Sequence, residues 1–207
     1  MPPVSEETDL GRAENYDVLA LLLARAPSAA VLDLLARIDV DLTTPLGRAW
    51  GKLAEAAVTA TPEALAREHF VLFTGVGRGE LLPFASFYIT GFLHERPLAE
   101  LRSDLARLGI ARQDGDHDPE DRIALILSVM ASFARGDISA PGLGQAEFYA
   151  RHLAPWAALF FDDLDQAPAA QFYRHVAAVG RAFIDTENQA FSLDVQGVTQ
   201  SQREARL

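Results

Sequence analysis

Residues 97–109 read PLAELRSDLARLG, with Leu98, Leu101, Leu105 and Leu108 at intervals of three and four and a glycine directly after the last leucine. That spacing sets the four leucines along one stripe of a 3.6-residue helix, with Pro97 in the first turn and Gly109 as the stop. A half-buried strand needs alternation at two instead. The same pattern extends toward the N-terminus. Residues 15–25 form a helix with Leu19, Leu22 and Leu23 inward, ended by Pro27. Ser28 is a cap for a helix over 29–38, Thr44 with Pro45 opens one through about Val58, and Thr61-Pro62-Glu63 opens another through Phe73. Helix resumes near Ser86 and runs to Arg96. Beyond Gly109, helices are expected over 119–135, 145–153, 155–164 and 168–186. Ala and Leu dominate and β-branched clusters are scarce, so the fold class is all-α, a helical bundle.

Residues 14–190 read as one helical domain, with a hinge at about 109–118. Residues 1–13 read as an N-terminal arm and 191–207 as a polar, fraying C-terminal tail. The 207 residues carry 18 Lys plus Arg against 29 Asp plus Glu, a net charge of −11, which argues against nucleic acid as a partner. Cysteine is absent, which removes disulfides, thiolate metal sites and cysteine nucleophiles. The first cation, Arg12, follows three acidic residues, the reverse of a targeting segment. Apolar runs such as 18–24 fall short of the about 18 residues that span a bilayer. A cytoplasmic protein without membrane insertion is expected.

Motifs with chemical content are few. Gly75-Val76-Gly77-Arg78-Gly79 lacks both the preceding strand of a dinucleotide fingerprint and the Gly-Lys-Ser/Thr ending of a P-loop, so it reads as a connecting loop. His117-Asp118 offers an imidazole and a carboxylate suited to a divalent ion. It leaves open an alternative reading as a helical, HD-type metal-dependent phosphohydrolase. Asp118-Pro119-Glu120-Asp121 also makes a good helix start, with Asp118 as cap and Glu120 and Asp121 facing the positive end of the helix. No cofactor and no resident metal are expected. Phe87 and Phe92 read as core, Phe84 beside Pro83 as an exposed anchor, and His152, Pro155 and Trp156 as a helix–helix corner.

Three separated segments carry a resemblance. His69-Phe70-Val71-Leu72-Phe73 with Gly75 is followed by Pro83-Phe84-Ala85-Ser86 and Tyr88. Then come Asp118-Pro119-Glu120-Asp121-Arg122 and Phe148-Tyr149-Ala150-Arg151-His152-Leu153-Ala154-Pro155-Trp156. In order and spacing, over about residues 14–190, they resemble the TorD/DmsD/NarJ family of molybdoenzyme maturation chaperones. The second segment is similar to that family's Glu-Pro-x-Asp-His, with Arg122 in place of the usual His. Arg122 still donates hydrogen bonds but does not titrate near neutral pH.

The resemblance implies a non-enzymatic cytoplasmic chaperone that binds the twin-arginine signal peptide, the apo form, or both, of a molybdopterin-containing oxidoreductase until cofactor insertion is complete. Formate dehydrogenase and DMSO/TMAO reductase-type enzymes are the clients it points to. It also permits a domain-swapped homodimer. A signal peptide offers a cationic start and a short apolar stretch, so its binder combines carboxylates with an apolar groove. Leu72, Phe73, Pro83, Phe84 and Tyr88 are the expected groove, Asp118, Glu120 and Asp121 the partners of the arginines, and Ser86 and Arg122 complete the motifs. The two patches are expected to adjoin.

Overall fold

The computed structural model describes the backbone of residues 4–112 and 118–204 and the side chains of 9–112 and 118–192. Among these residues there are ten helices and no strand. In chain order they are α1 (Val4–Ala24), α2 (Ala29–Leu35), α3 (Pro45–Thr59), α4 (Pro62–Phe73), α5 (Ala85–Thr90), α6 (Arg96–Arg107), α7 (Ile123–Ala134), α8 (Gln145–His152), α9 (Ala157–Gln166) and α10 (Phe172–Glu204). The three caps read from the sequence form. Ser28 Oγ accepts the Val31 N–H, Thr44 Oγ1 that of Gly47 and Thr61 Oγ1 that of Ala64. Pro45 and Pro62 sit in first turns, where a missing N–H loses no helical bond. Gly109 follows α6 with φ +72°, the left-handed stop that glycine adopts without strain. Leu98, Leu101 and Leu105 of α6 are buried as the stripe predicts.

Two helices organise the core. α7 lies along α1 and fully buries Ile123, Ile126, Leu127 and Met130, each worth about 2 kcal/mol of apolar transfer. α10 lies between α9 and α3. Its approach to α9 depends on Gly180, where a Cβ would fall 2.1 Å from the Phe161 ring. Carboxylates bind the helices to one another. Glu68 of α4 accepts the N–H groups of Gln171 and Tyr173 at 2.8 Å and of Phe172 at 3.3 Å, capping α10 from a different helix. Glu187 of α10 is wholly buried and accepts Arg12 Nε, Arg12 Nη2 and Tyr16 Oη at 2.8, 2.7 and 2.6 Å. Asp104 of α6 is buried and accepts Arg107 Nη1, Arg151 Nη1 and the His152 Nε2–H at 2.9, 3.1 and 2.9 Å.

The structure differs from the sequence reading at several element ends. α1 starts at Val4 rather than near residue 15. α10 continues to Glu204 through a stretch that contains no proline, so the segment expected to fray has a helical backbone. The helix expected over 86–96 ends at Thr90, because Gly91 takes a left-handed conformation with φ +82° and a turn follows in which His94 has φ +63°. α7 starts at Ile123 rather than at residue 119, since Phe84 and Arg122 pair as an isolated antiparallel bridge. The hinge expectation over 113–117 lies outside the described residues. Among the described residues no helix is long and apolar enough to cross a membrane.

The Asp104 cluster makes stability depend on pH. Burial pushes the Asp104 carboxyl up, but the hydrogen bonds from His152, Arg107 and Arg151 outweigh it and hold it below its ordinary value of 3.8. Burial also holds His152 below 6.5, against the pull of Asp104. Both groups therefore take protons more readily in the unfolded chain, so both remove stability as pH falls. The His152 step begins near pH 6.5 and the Asp104 step near pH 4. Urea unfolding across this range is expected to show both, with Asp104→Asn flattening the lower step and deepening the upper one, because His152 then loses the carboxylate that opposes the effect of its burial.

Candidate functional site

Two segments 35 residues apart in the chain meet at the start of α5. The Ile123 N–H donates to Pro83 O and the Ala85 N–H to Asp121 O, both at 2.9 Å. The Ser86 N–H donates to Asp121 Oδ2 at 2.7 Å. α5 has only six residues, and Phe84 at its N-cap position supplies no side-chain acceptor. Asp121 supplies it from the other segment, and its charge lies at the positive end of α5. The sequence reading placed Asp118 as the cap of α7, with Glu120 and Asp121 along that helix's first turn. In the structure Arg122 occupies that cap position without a capping bond, and Asp121 caps α5 instead. Asp121 and Ser86 are wholly buried.

The neighbouring carboxylates already hold cations. Asp118 Oδ2 accepts Arg122 Nη1 at 2.7 Å. Glu120 Oε2 accepts Arg102 Nε and Nη2 at 2.9 and 2.7 Å, and Glu120 Oε1 lies 3.6 Å from Arg112 Nη1. Arg112 Nη2 also donates to the Asp118 carbonyl at 3.1 Å. These side chains line a cleft of about 610 Å³ between α6 and the start of α7, walled by Leu105, Ile110 and Leu125. Burial pushes the Glu120 carboxyl up, yet the Arg102 guanidinium outweighs it and holds it below the usual carboxylate range. The expected open acidic patch is thus two carboxylates alternating with three guanidiniums.

The expected groove separates into buried and half-buried parts. Leu72, Pro83, Ser86 and Asp121 are buried and line no surface. Phe73 is half-buried, its ring edge-on to His69 and Tyr173 at 4.9 and 5.6 Å. Burial, with Arg122 nearby, lowers the His69 pKa despite the Leu23 carbonyl, so the ring is neutral at pH 7. The Tyr88 ring lies 5.4 Å from Trp156 and 5.9 Å from Phe160, and its hydroxyl donates to Asp163 at 3.0 Å. Burial and Asp163 push that phenol up. Trp156 Nε1 donates to His152 O at 2.7 Å, the corner read from the sequence. Phe84, expected as an exposed anchor, is half-buried, because its backbone pairs with Arg122.

Phe92, expected in the core, is 70% exposed and neighbours the exposed Ile89 and Leu93. Gly91 was the signal for this exposure, being the residue that ends α5. The Gly-rich loop folds back on α4 through Glu80 N–H to Val71 O and Leu81 N–H to Leu72 O. At Gly75, φ is +62° and a Cβ would meet Arg78 O at 2.0 Å, so the glycine is needed for that turn.

His117 lies outside the described residues, and the Asp118 carboxylate is engaged by Arg122. Among the described residues no three His, Asp or Glu side chains are grouped to hold a metal. Sequence reasoning missed Arg102 and Arg112, which lie on the polar side of α6 and just after it, and Asp163, the Tyr88 partner. Arg102 and Arg112 are 49% and 36% exposed against 13% for Glu120, so the guanidiniums lie open to water at the rim and can give way to another cation at modest cost. Glu120→Gln is expected to lower stability by about 1 kcal/mol or less in urea unfolding. A loss of about 3 kcal/mol would show that the pair is a structural anchor.

The sequence model of the nitrate reductase delta subunit family matches residues 39–162, more than half of the chain, a stretch holding both sides of the junction and His152. A protein of Vibrio cholerae serotype O1 (strain ATCC 39541 / Classical Ogawa 395 / O395), called Chaperone protein TorD, is 27% identical over 141 residues, 64% of this chain and 64% of that one. The protein of the same name from strain ATCC 39315 / El Tor Inaba N16961 is 28% identical over 132 residues, 59% of this chain and 60% of that one. The chain therefore spans somewhat under two thirds of the length of the curated relatives it matches. With ten helices and no strand among its described residues and the family match across the junction, the chain belongs to the nitrate reductase delta subunit family, which includes TorD and NarJ.

Proposed function

We propose that the protein is a cytoplasmic maturation chaperone. It binds the apo catalytic subunit of a molybdopterin-containing oxidoreductase, with its twin-arginine signal peptide, and holds it until cofactor insertion and folding are complete. The family membership and the relatives called Chaperone protein TorD support this reading. The observation that carries it is the cleft rimmed by Asp118 and Glu120, whose carboxylates are held in pairs with Arg102, Arg112 and Arg122, each pair having one partner open to water. An arriving arginine pair replaces guanidiniums already present, so the carboxylates change partner without being desolvated anew. Leu105, Ile110 and Leu125 offer apolar wall at the same opening, and Phe84 lies half-buried at the adjoining bridge.

Asp121 and Ser86 take a positioning role in this account. They hold the 83–86 and 121–123 segments in register but do not touch the client. Calorimetric titration with a synthetic twin-arginine signal peptide tests the proposal. Phe84→Ala and Glu120→Gln are each expected to weaken binding by about three- to thirtyfold, and added salt to weaken it further. Unchanged affinity in both variants would remove the residue assignment. Failure of both the peptide and a molybdoenzyme precursor to bind would remove the function.

A further inference from the structure

A second groove lies along α1 and shares no lining residue with the junction cleft. It is about 460 Å³ in volume and is formed by α1, the start of α3 and the loop between α2 and α3. Its apolar lining comes from Val18, Ile38, Val40, Leu46 and Trp50. Ile38 is 38% exposed, and Leu42 on the same loop is 60% exposed. The charged residues along it are Glu14, Asp39 and Asp41, and among the described residues no Lys, Arg or His lines it. Among the described residues its lining charge is therefore −3, whereas the described lining of the junction cleft has three arginines and two carboxylates.

The walls are fixed. Asp41 Oδ1 accepts both the N–H and the hydroxyl of Thr43, at 2.9 and 2.6 Å. Thr44 Oγ1 caps α3, and Arg48 Nη1 donates to the carbonyls of Leu42 and Thr43 at 3.3 and 2.7 Å. The loop rests directly on α3 because that helix has glycines where it crosses. A Cβ at Gly47 would fall 1.9 Å from Asp41 O, and one at Gly51 2.8 Å from the Leu42 side chain. Inside the groove the Trp50 Nε1–H donates to Asn15 Oδ1 at 2.7 Å, so the indole needs no partner from outside. Glu14 and Asp39 are exposed and take part in no ion pair among the described residues. Trp50 is itself buried, so what stays open is the exposed Ile38 with half-buried Val18 and Leu46, beside the carboxylates of Glu14 and Asp39.

We propose that this groove docks a basic amphipathic protein segment, a stretch with apolar side chains on one side and at least two Lys or Arg flanking them. The apolar residues lie over Val18, Ile38 and Leu46, directly above the buried Trp50 indole, and the cations meet Glu14 and Asp39. Preformed walls mean that little loop ordering opposes binding. The complementary charge gives the site its selectivity and its sensitivity to salt. This docking is independent of the signal-peptide reading, because it uses none of the residues of the junction cleft.

The protein has two tryptophans, and they report the two places separately. Trp50 lines the groove, and Trp156 packs on Tyr88 beside the junction. In a ¹⁵N–¹H NMR titration of the full chain, an 18-residue Leu/Lys amphipathic peptide is expected to move the Trp50 indole signal and leave that of Trp156 in place. The Glu14→Gln/Asp39→Asn double variant is expected to weaken this binding about tenfold, as does raising the salt. Both positions are exposed and make no internal bond, so the variant keeps the fold. A Trp50 signal that stays still overturns the proposal. Equal binding of the corresponding Leu/Glu peptide, or by the double variant, overturns its electrostatic basis. Movement of Trp156 alone assigns the peptide to the junction instead.

Discussion

The Asp121 carboxylate accepts the Ser86 N–H from a position with no solvent exposure. A buried carboxylate without partners costs several kcal/mol, so this one is stable only while the start of α5 stands against it. The dependence runs both ways, because α5 is too short to stand alone and its own cap residue, Phe84, has no side-chain acceptor. Joining the two segments also fixes what is attached to them. Pro83 takes the Ile123 N–H and so sets where α7 begins, and Phe84 is held beside Arg122. Arg122 holds Asp118, and the same turn presents Glu120 to Arg102 and Arg112.

The same device recurs where the fold needs a helix end or a helix pair held. Glu68 caps α10 from α4, Glu187 joins α10 to α1 through Arg12 and Tyr16, and Asp104 joins α6 to α8. Part of the acidic excess is therefore internal and structural. The rest is unevenly distributed over the surface. At the junction cleft the carboxylates are matched by arginines, whereas the groove between α1 and α3 has acids alone among its charged lining.

How much was legible in the sequence follows from the range of each interaction. The caps at Ser28, Thr44 and Thr61 act within three residues, and they were read correctly. The leucine stripe of α6 and its Gly109 stop are equally local. Asp121 was readable as a helix-capping acid, but the helix it caps is 35 residues away, and no periodicity shows that pairing. The arginine partners of Glu120 were hidden for the same reason, Arg102 lying 18 residues away. Phe92 reads as core because aromatic residues are usually buried, but α5 ends at Gly91 and the ring beyond it is exposed. The motif resemblance covers both junction segments. It did not indicate that Leu72, Pro83, Ser86 and Asp121 are buried, which depends on the whole packing.

Amide hydrogen exchange in the parent protein and in Asp121→Ala tests most directly whether the junction is a single unit. The account predicts that the amides of Ala85, Ser86 and Ile123 lose protection together in the variant, by a similar factor, while those in the middle of α7 and α10 exchange as before. Loss of protection at Ser86 alone, with Ile123 still bonded to Pro83, would show that the two segments are held by something other than this carboxylate and would contradict the account.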